Sequence, residues 1–402
     1  MKRRTNDVDE LERLRIEMLR TTKTIIEGVT QRNLLALKIG EIKERLTLPI
    51  EDKAVEEALV HQTLKECEKR GLPLDVGRSL LSVLMAESKR IQKERLSHKQ
   101  DRLKRRRIGK RSTKNIAAVI GCSGVMGSLF TRLFIELNFM VRGADPRRPQ
   151  YRRRNFRYYK SNSVAVKGAE VVLIATPMDV TQRVVKEIQG VLKKGCVVAE
   201  ISSVKGDLHG TLKELARRGN ITCLSVHPLF GPFVDSLNGT KFVMIPVVDA
   251  NKEASLCRRI FPGAEIITMG QQEHDKAMAL MLSLVHAVNI AFCKTLTSYM
   301  QPREFERLAS PMATVQFALG AGVISQDPKL CAQIQTRNKA TSVVTDAFLE
   351  NLKRLSQYVK AEDDKSIEDI IVTLRKTFGE RIKPEEVMSR IYQAAGTIAP
   401  TL

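Results

Sequence analysis

The 402-residue chain exceeds one typical domain, so two or three are expected, and a hydrophobic share of 43% lets each bury a core. Seven scattered cysteines without a C-x-x-C pair argue against a disulfide frame or zinc site and for reduced thiols in a cytoplasmic protein. No segment approaches the ~18–20 uncharged apolar residues of a membrane span, and the basic N-terminus lacks the apolar stretch of a secretory signal. The net charge of +22 is concentrated: thirteen Lys and Arg fall in residues 89–114 and eight in residues 142–160. Such clusters suit nucleic acid, small polyanions or plain solvation. Stacking platforms need exposed rings; residues 89–114 contain none, although Tyr151, Phe156, Tyr158 and Tyr159 interleave the second cluster.

The chain starts helical. Leu11, Leu14, Met18, Ile25, Ile26, Val29, Leu35, Ile39 and Ile42 recur at helical steps, with no proline before Pro49. At 1.5 Å per residue this helix, over residues 8–46, is about 60 Å long, more than a small monomer can cover, so intertwined dimerisation is expected. Two more helices follow, over about 52–70 and 75–96, broken at Gly71-Leu72-Pro73. A basic junction then gives a domain boundary, with a linker at 99–114. The apolar runs at 116–120, 171–175 and 197–201 alternate with helical stretches, the βαβ pattern of a parallel sheet. Past about Gln272 the pattern is helical to the end. The expected organisation is an all-α domain over 1–98, an α/β Rossmann-type domain over 115–272 and a second all-α domain over 273–402.

Several polar residues in the first segment sit at helical spacing. Arg32 and Lys43 are eleven residues apart and share a face; Ser88 and Gln92, like Asp52 and Glu56, are i, i+4 pairs. Arg15 is rotated about 100° from Arg32, missing its pocket but able to reach one in a second subunit. Singly, each is an ordinary solvated helix residue. Together, residues 8–96 resemble the all-helical chorismate mutases. That resemblance implies that Arg15 of one subunit and Arg32 of the other hold the substrate carboxylates. Lys43 and Gln92 would donate to the ether oxygen, Glu56 would meet the ring hydroxyl, and Asp52 and Ser88 would complete the lining. Where that family usually has a basic residue between the two acids, this chain has Val55, which implies weaker binding. The rearrangement to prephenate needs no nucleophile, only a held conformer and stabilisation of charge on the breaking ether.

The turn from Gly121 to Gly127 follows a strand and opens a helix, the context of a dinucleotide fingerprint. Gly121, Ser123, Gly124, Met126 and Gly127 are the candidate cofactor-binding set, although Cys122 occupies the slot of the usual first glycine. Asp145, eighteen residues past Gly127, is placed to accept from an adenosine ribose and favours NAD; Arg147 and Arg148 leave NADP open.

Ser203 in the S-V-K triplet, His227 in a proline-bracketed H-P-L-F-G-P loop, Glu273-His274-Asp275 and His286 follow in order. This ordered set resembles the prephenate dehydrogenases over about 115–350, specifically the bifunctional chorismate mutase–prephenate dehydrogenases, with the mutase in front. The resemblance implies that His227 polarises the ring hydroxyl, Ser203 positions it, His286 binds substrate or cofactor, and Thr176 and Pro177 line the nicotinamide side. Thr314 and Gly322 stand where arginines that anchor a substrate carboxylate are expected, while Arg337 in T-R-N matches a family position. The implied function is conversion of chorismate to prephenate, then NAD-linked oxidative decarboxylation to 4-hydroxyphenylpyruvate in a homodimer, without membrane or nucleic-acid partners. The competing expectations are an arogenate dehydrogenase partner for the mutase, a nucleic-acid-binding protein on a Rossmann scaffold, and a non-catalytic sensor of an aromatic amino acid.

Overall fold

The computed structural model describes residues 2–46, 48–107, 115–150, 153–379 and 383–398, in two compact units, Met1–Ser112 and Thr113–Leu402. The first unit is three helices: α1 Lys2–Arg45, α2 Lys53–Lys69 and α3 Leu74–Arg107. Asp52 caps α2, its side chain accepting from Val55 N at 3.3 Å. The break after α2 uses Gly71 at φ +67°, with Leu72 N returning to Cys67 O at 2.9 Å. Helix α3 packs against both α1 and α2, and glycines set the crossings. A Cβ on Gly77 would lie 2.4 Å from Cys67 Sγ, and one on Gly40 would lie 3.0 Å from Gln92 Cγ.

The structure alters one sequence expectation here. The third helix runs on to Arg107, so the basic stretch begins as helix; the rest of the expected linker, 108–114, lies outside the described residues. The expected apolar seam of α1 is uncovered within one chain, with Leu11, Leu14, Met18, Ile25, Ile26, Leu35, Ile39 and Ile42 all exposed.

The second unit begins with an eight-stranded sheet: β1 Ile116–Ile120, β2 Met140–Ala144, β3 Phe156–Tyr159, β4 Val171–Ile174, β5 Val197–Glu200, β6 Thr222–Pro228, β7 Lys241–Ile245 and β8 Glu265–Thr268. The order is β3-β2-β1-β4-β5-β6-β7-β8, parallel throughout except between β6 and β7. Alternate residues feed two cores. Val119, Leu173, Ala199 and Leu224 pack under α4 Val125–Glu136, while Ile120, Ile174 and Val198 face α6 Met178–Ile188 and α7 Leu208–Gly219. The short helix α5 Asn162–Val166 lies on the second face, and α8 Ala250–Ile260 on the first. The H-P-L-F-G-P segment is not wholly a loop: His227 and Pro228 end β6 and pair with Val243 and Phe242 of β7.

The remaining helices are α9 Gln271–Met278, a π turn Ala279–Leu284, α10 Val285–Tyr299, α11 Pro302–Leu308, α12 Pro311–Ile324, α13 Pro328–Arg337, α14 Ala340–Lys360, α15 Asp364–Phe378 and α16 Pro384–Ile398. Prolines fit the first turns of α11, α12 and α13, and Asp327 caps α13 by accepting from Leu330 N at 2.8 Å. The continuous helical run Gln271–Tyr299 is long and apolar enough to cross a membrane by length and composition, contrary to the sequence expectation. In the fold it buries His274, Ser283, His286 and Asn289, and packs against α12, α13 and α14.

Four buried thiols give this unit an alkaline sensitivity. Burial pushes Cys122 up to about 11, and Cys196, Cys223 and Cys257 to about 12, from an ordinary 9.0. The unfolded chain therefore loses these protons first. Their contribution to stability is full below pH 9 and is lost as pH rises toward 12. Melting temperature measured across pH 8–11 is expected to fall steadily above about pH 9.

Candidate active sites

In the first unit Arg32 donates to Leu84 O at 2.5 Å and to Ser88 Oγ, so α1 and α3 bring these two expected residues together. Gln92 lies one turn beyond Ser88 on α3, buried against Gly40, and its Oε1 has no hydrogen-bond partner among the described residues. Lys43 Nζ donates to Ile50 O at 2.7 Å, leaving two protons for a ligand. Glu56 pairs with Lys89 at 2.9 Å, and that bond holds the ammonium of Lys89 above its usual range. Lys89 was not singled out in the sequence; its spacing from Glu56 has no local signature. Asp52 is committed to the α2 cap. Arg15 is exposed, seventeen residues and about 25 Å along α1 from Arg32, so one chain does not bring the two arginines together.

In the second unit the turn after β1 forms a cradle at the switch point of the sheet, where β1 and β4 lead to opposite sides. Gly121 takes φ +84°, and a Cβ there would lie 2.4 Å from Ala175 O in the turn after β4. A Cβ on Gly127 would lie 2.0 Å from Gly121 O, so only glycine lets α4 approach the strand this closely. The first amides of α4 have no side-chain cap and face outward for an anion. Met126 turns its side chain into the core and leaves only its amide to the turn. The Cys122 side chain also points inward; its Sγ fills space left by Gly143, where a Cβ would lie 2.7 Å away. Cysteine in the first-glycine slot therefore leaves the cradle open.

Asp145, at the end of β2, is buried and accepts from Ser123 N at 3.1 Å and Arg147 N at 2.9 Å. Ser123 Oγ donates to Arg147 O at 2.6 Å. Arg147 and Arg148 are exposed just beyond. A cleft of about 520 Å³ runs from Ser123 and Gly124 along α4 to Arg132, Arg153 and Phe233. A dinucleotide fits these residues: the glycines admit its backbone approach, the helix end faces a pyrophosphate, and Asp145 offers the acceptor for a ribose hydroxyl. Thr176 and Pro177 follow β4; Pro177 leads into α6, and the Thr176 hydroxyl bonds that of Thr181 at 2.9 Å.

His227 is 6% exposed at the carboxyl end of β6. Burial, then the positive charge of Lys205, holds its imidazole well below the usual histidine range, so the ring is neutral. Beneath it, Lys205 Nζ donates to Val226 O at 2.8 Å and to Glu200 Oε1 at 2.7 Å. Ser225 Oγ and Ser202 N complete the Glu200 carboxylate at 2.6 and 2.8 Å. Sequence reading stopped at Ser203, which is half-buried beside this pair; the fully buried ion pair two residues on was missed because Glu200 reads as the end of an apolar strand. His227 Nδ1 lies 3.1 Å from His274 Nε2, and His274 Nδ1 lies 3.1 Å from Asp275 Oδ1.

His286 is buried on α10 with Nδ1 unpartnered among the described residues, and burial lowers its pKa. Arg337 is exposed at the end of α13; within T-R-N it is Asn338 that reaches the site, donating to Asp275 O at 2.7 Å. Thr314 is half-buried, and Gly322 faces open space with nothing within 4 Å of a Cβ built on it.

Comparison with known proteins bears on each segment. Residues 14–93 match the chorismate mutase type II family, residues 140–262 the nucleotide-binding domain of prephenate dehydrogenase, and residues 271–376 its dimerization domain. The glycine turn precedes the second matched span. A T-protein of Enterobacter agglomerans is 23% identical over 95% of this chain and 97% of its own length. A probable arogenate/prephenate dehydrogenase of Methanocaldococcus jannaschii is 26% identical over 68% of this chain, which spans 63% of that relative. The solved prephenate dehydrogenase of A. aeolicus, in complex with hydroxyphenyl propionate and NAD+, shares the fold of the second unit. It has a TM-score of 0.54 and 18% identity over 67% of this chain and 98% of that one. With a mutase segment and both dehydrogenase segments in one order, the chain belongs to the chorismate mutase–prephenate dehydrogenase family.

Proposed function

We propose that the chain performs two successive steps of tyrosine biosynthesis, converting chorismate to prephenate in its first unit and prephenate to 4-hydroxyphenylpyruvate in its second. The observation that carries this reading is the neutral, buried His227 at the carboxyl edge of a sheet whose first turn is a dinucleotide cradle. In the first unit Arg32, with Arg15 of a second copy, holds the two carboxylates of chorismate in a compact conformer. Lys43 and Gln92 donate to the ether oxygen as its bond breaks, Glu56 meets the ring hydroxyl, and Ser88 fixes the Arg32 fork. The uncovered apolar seam of α1 supports a homodimer, because the seam needs a partner and Arg15 needs a second pocket.

In the second unit bound NAD supplies the hydride acceptor. His227 accepts hydrogen-bonded proton density from the ring hydroxyl, Ser203 positions that group, and His286 turns a polar edge toward the substrate. Met126 and Gly127 offer their amides at the start of α4 to the pyrophosphate. Gly121, Ser123 and Gly124, whose amides are used within the turn, shape the cradle it approaches, and Thr176 with Pro177 lines the nicotinamide side. Asp145 accepts from the adenosine ribose and repels a 2′-phosphate, favouring NAD over NADP despite Arg147 and Arg148. Loss of carbon dioxide aromatises the ring and makes the step irreversible.

A second reading has its own observation. The open space at Gly322, with Thr314 nearby on α12, removes the expected carboxylate anchors and favours arogenate as the dehydrogenase substrate. Following chorismate loss and NADH appearance separately decides the matter. Loss of chorismate with NADH formed from prephenate supports the leading reading; NADH from arogenate alone supports the second; neither activity refutes both. Gln92→Ala is expected to slow chorismate loss by about 10²–10³-fold, as for removal of one donor to developing charge, while NADH formation from added prephenate is unchanged.

A further inference from the structure

His227 lacks an obvious source of orientation within its own strand, yet its ring carries a directed contact. Nδ1 faces His274 Nε2 at 3.1 Å, with the two rings nearly perpendicular at 77°. The second nitrogen of His274 faces the Asp275 carboxylate at 3.1 Å. His274 is completely buried, whereas the Asp275 side chain is 23% exposed. Asn338 pins the Asp275 backbone from the start of α14, its own Oδ1 accepting from Ala340 N at 3.0 Å. The other charged groups against His227 are Lys205 and its partner Glu200, and these are saturated by each other, Ser225, Ser202 and Val226.

The donor and acceptor roles along this line follow from one end. An ionised carboxylate only accepts, so the Asp275 side chain requires a proton on His274 Nδ1. A neutral His274 then carries a bare Nε2, which accepts from His227 Nδ1–H. His227 is left with its lone pair on Nε2, the nitrogen free for a substrate hydroxyl.

We infer that His274 and Asp275 are positioning residues for the oxidation step, fixing His227 as the Nδ1–H tautomer and taking over the proton it receives. The inference rests on the proposed oxidation of a ring alcohol by this site. In the proton step, the substrate O–H bond breaks and an N–H bond forms at His227 Nε2. The His227 Nδ1–H bond then breaks and one forms at His274 Nε2. His227 is again neutral, and the positive charge rests on His274 against the Asp275 carboxylate, whose exposed edge leads the proton to water. Charge thus moves away from Lys205 rather than accumulating beside it.

Asp275→Asn tests the arrangement with little change of shape. An amide can present an N–H to His274 Nδ1, which reverses every donor in the line and puts the His227 proton on the wrong nitrogen. His274→Gln is the second variant: its amide oxygen still accepts from His227 Nδ1–H but cannot take a proton. The full chain is assayed with saturating prephenate and NAD, and with arogenate in parallel, using kcat, KM and the solvent deuterium dependence of kcat. Chorismate loss and cooperative melting report that each variant is folded. The expected result is a kcat loss of about 10²–10⁴-fold for Asp275→Asn and a smaller one for His274→Gln, each with KM within about twofold. The wild type is expected to show a curved dependence on deuterium fraction, from two moving protons, and His274→Gln a straight one. Wild-type kcat in both variants, or the same linear dependence in wild type and His274→Gln, overturns the inference. A wild-type chain that forms no NADH from either substrate instead overturns the proposed function.

Discussion

Replacing His227 by Asn is expected to lower NADH formation from prephenate by about 10²–10⁴-fold while chorismate loss continues at the wild-type rate. The imidazole is buried and neutral, so it is poised to accept a proton, and an amide of similar size cannot. The residues proposed for the mutase step, Arg32, Lys43 and Gln92, all lie in the other compact unit. A variant that lost both activities would show that the two sites are not separate. The same burial sets an expectation for the wild type. Because the His227 pKa lies well below 6.5, protonation of this ring does not limit oxidation between pH 8 and 6.5.

The second large effect concerns the ion pair beneath that histidine. Lys205→Met leaves Glu200 buried with Ser225 and Ser202 but without its cation, and is expected to destabilise the second unit by about 3–5 kcal/mol. Against a typical total of about 5–15 kcal/mol this is a large fraction. Combining it with Glu200→Gln removes the uncompensated charge and is expected to recover part of the loss; denaturant unfolding of the wild type, single and double variants measures the coupling. A fully additive double variant would contradict it. Lys205→Met also removes a positive neighbour from His227, whose pKa then rises toward the ordinary value. The fall of dehydrogenase activity on the acid side is expected to begin at higher pH than in the wild type.

Much of this arrangement was legible in the residues. The strand, glycine turn and helix around Gly121–Gly127 are read from local pattern because each element's geometry is decided within a few residues. The meeting of Arg32 with Ser88 came only through the resemblance to the helical mutases, because spacing places each on a face of its own helix without saying which faces meet. The uncovered seam of α1 follows from its length alone. Other features depend on contacts distant in sequence. Nothing near His227 announces His274, which is 47 residues away and reaches it only because β6 and α9 meet. The Glu200–Lys205 pair hides in an apolar strand, since a buried charge has no periodic signature until its partner is known. Cys122 looked like a damaged fingerprint because the sequence does not say that Gly143 leaves a hole for its sulfur.

The π turn at Ala279–Leu284 carries a consequence for the geometry of the helix that spans the second site. His274 and His286 are twelve residues apart, and in a regular α-helix they would diverge by about 120°. A π turn absorbs one extra residue, so twelve steps advance like eleven, about 20° past three whole turns. Both imidazoles therefore come round to the same side, and both are buried there. The extra residue acts as a phase shift, letting one continuous helical run present two imidazoles on the same side. Deleting a residue within the π turn would restore the regular ladder with the two histidines eleven residues apart, still about 20° past three whole turns, so the π turn is what keeps the longer sequence in phase.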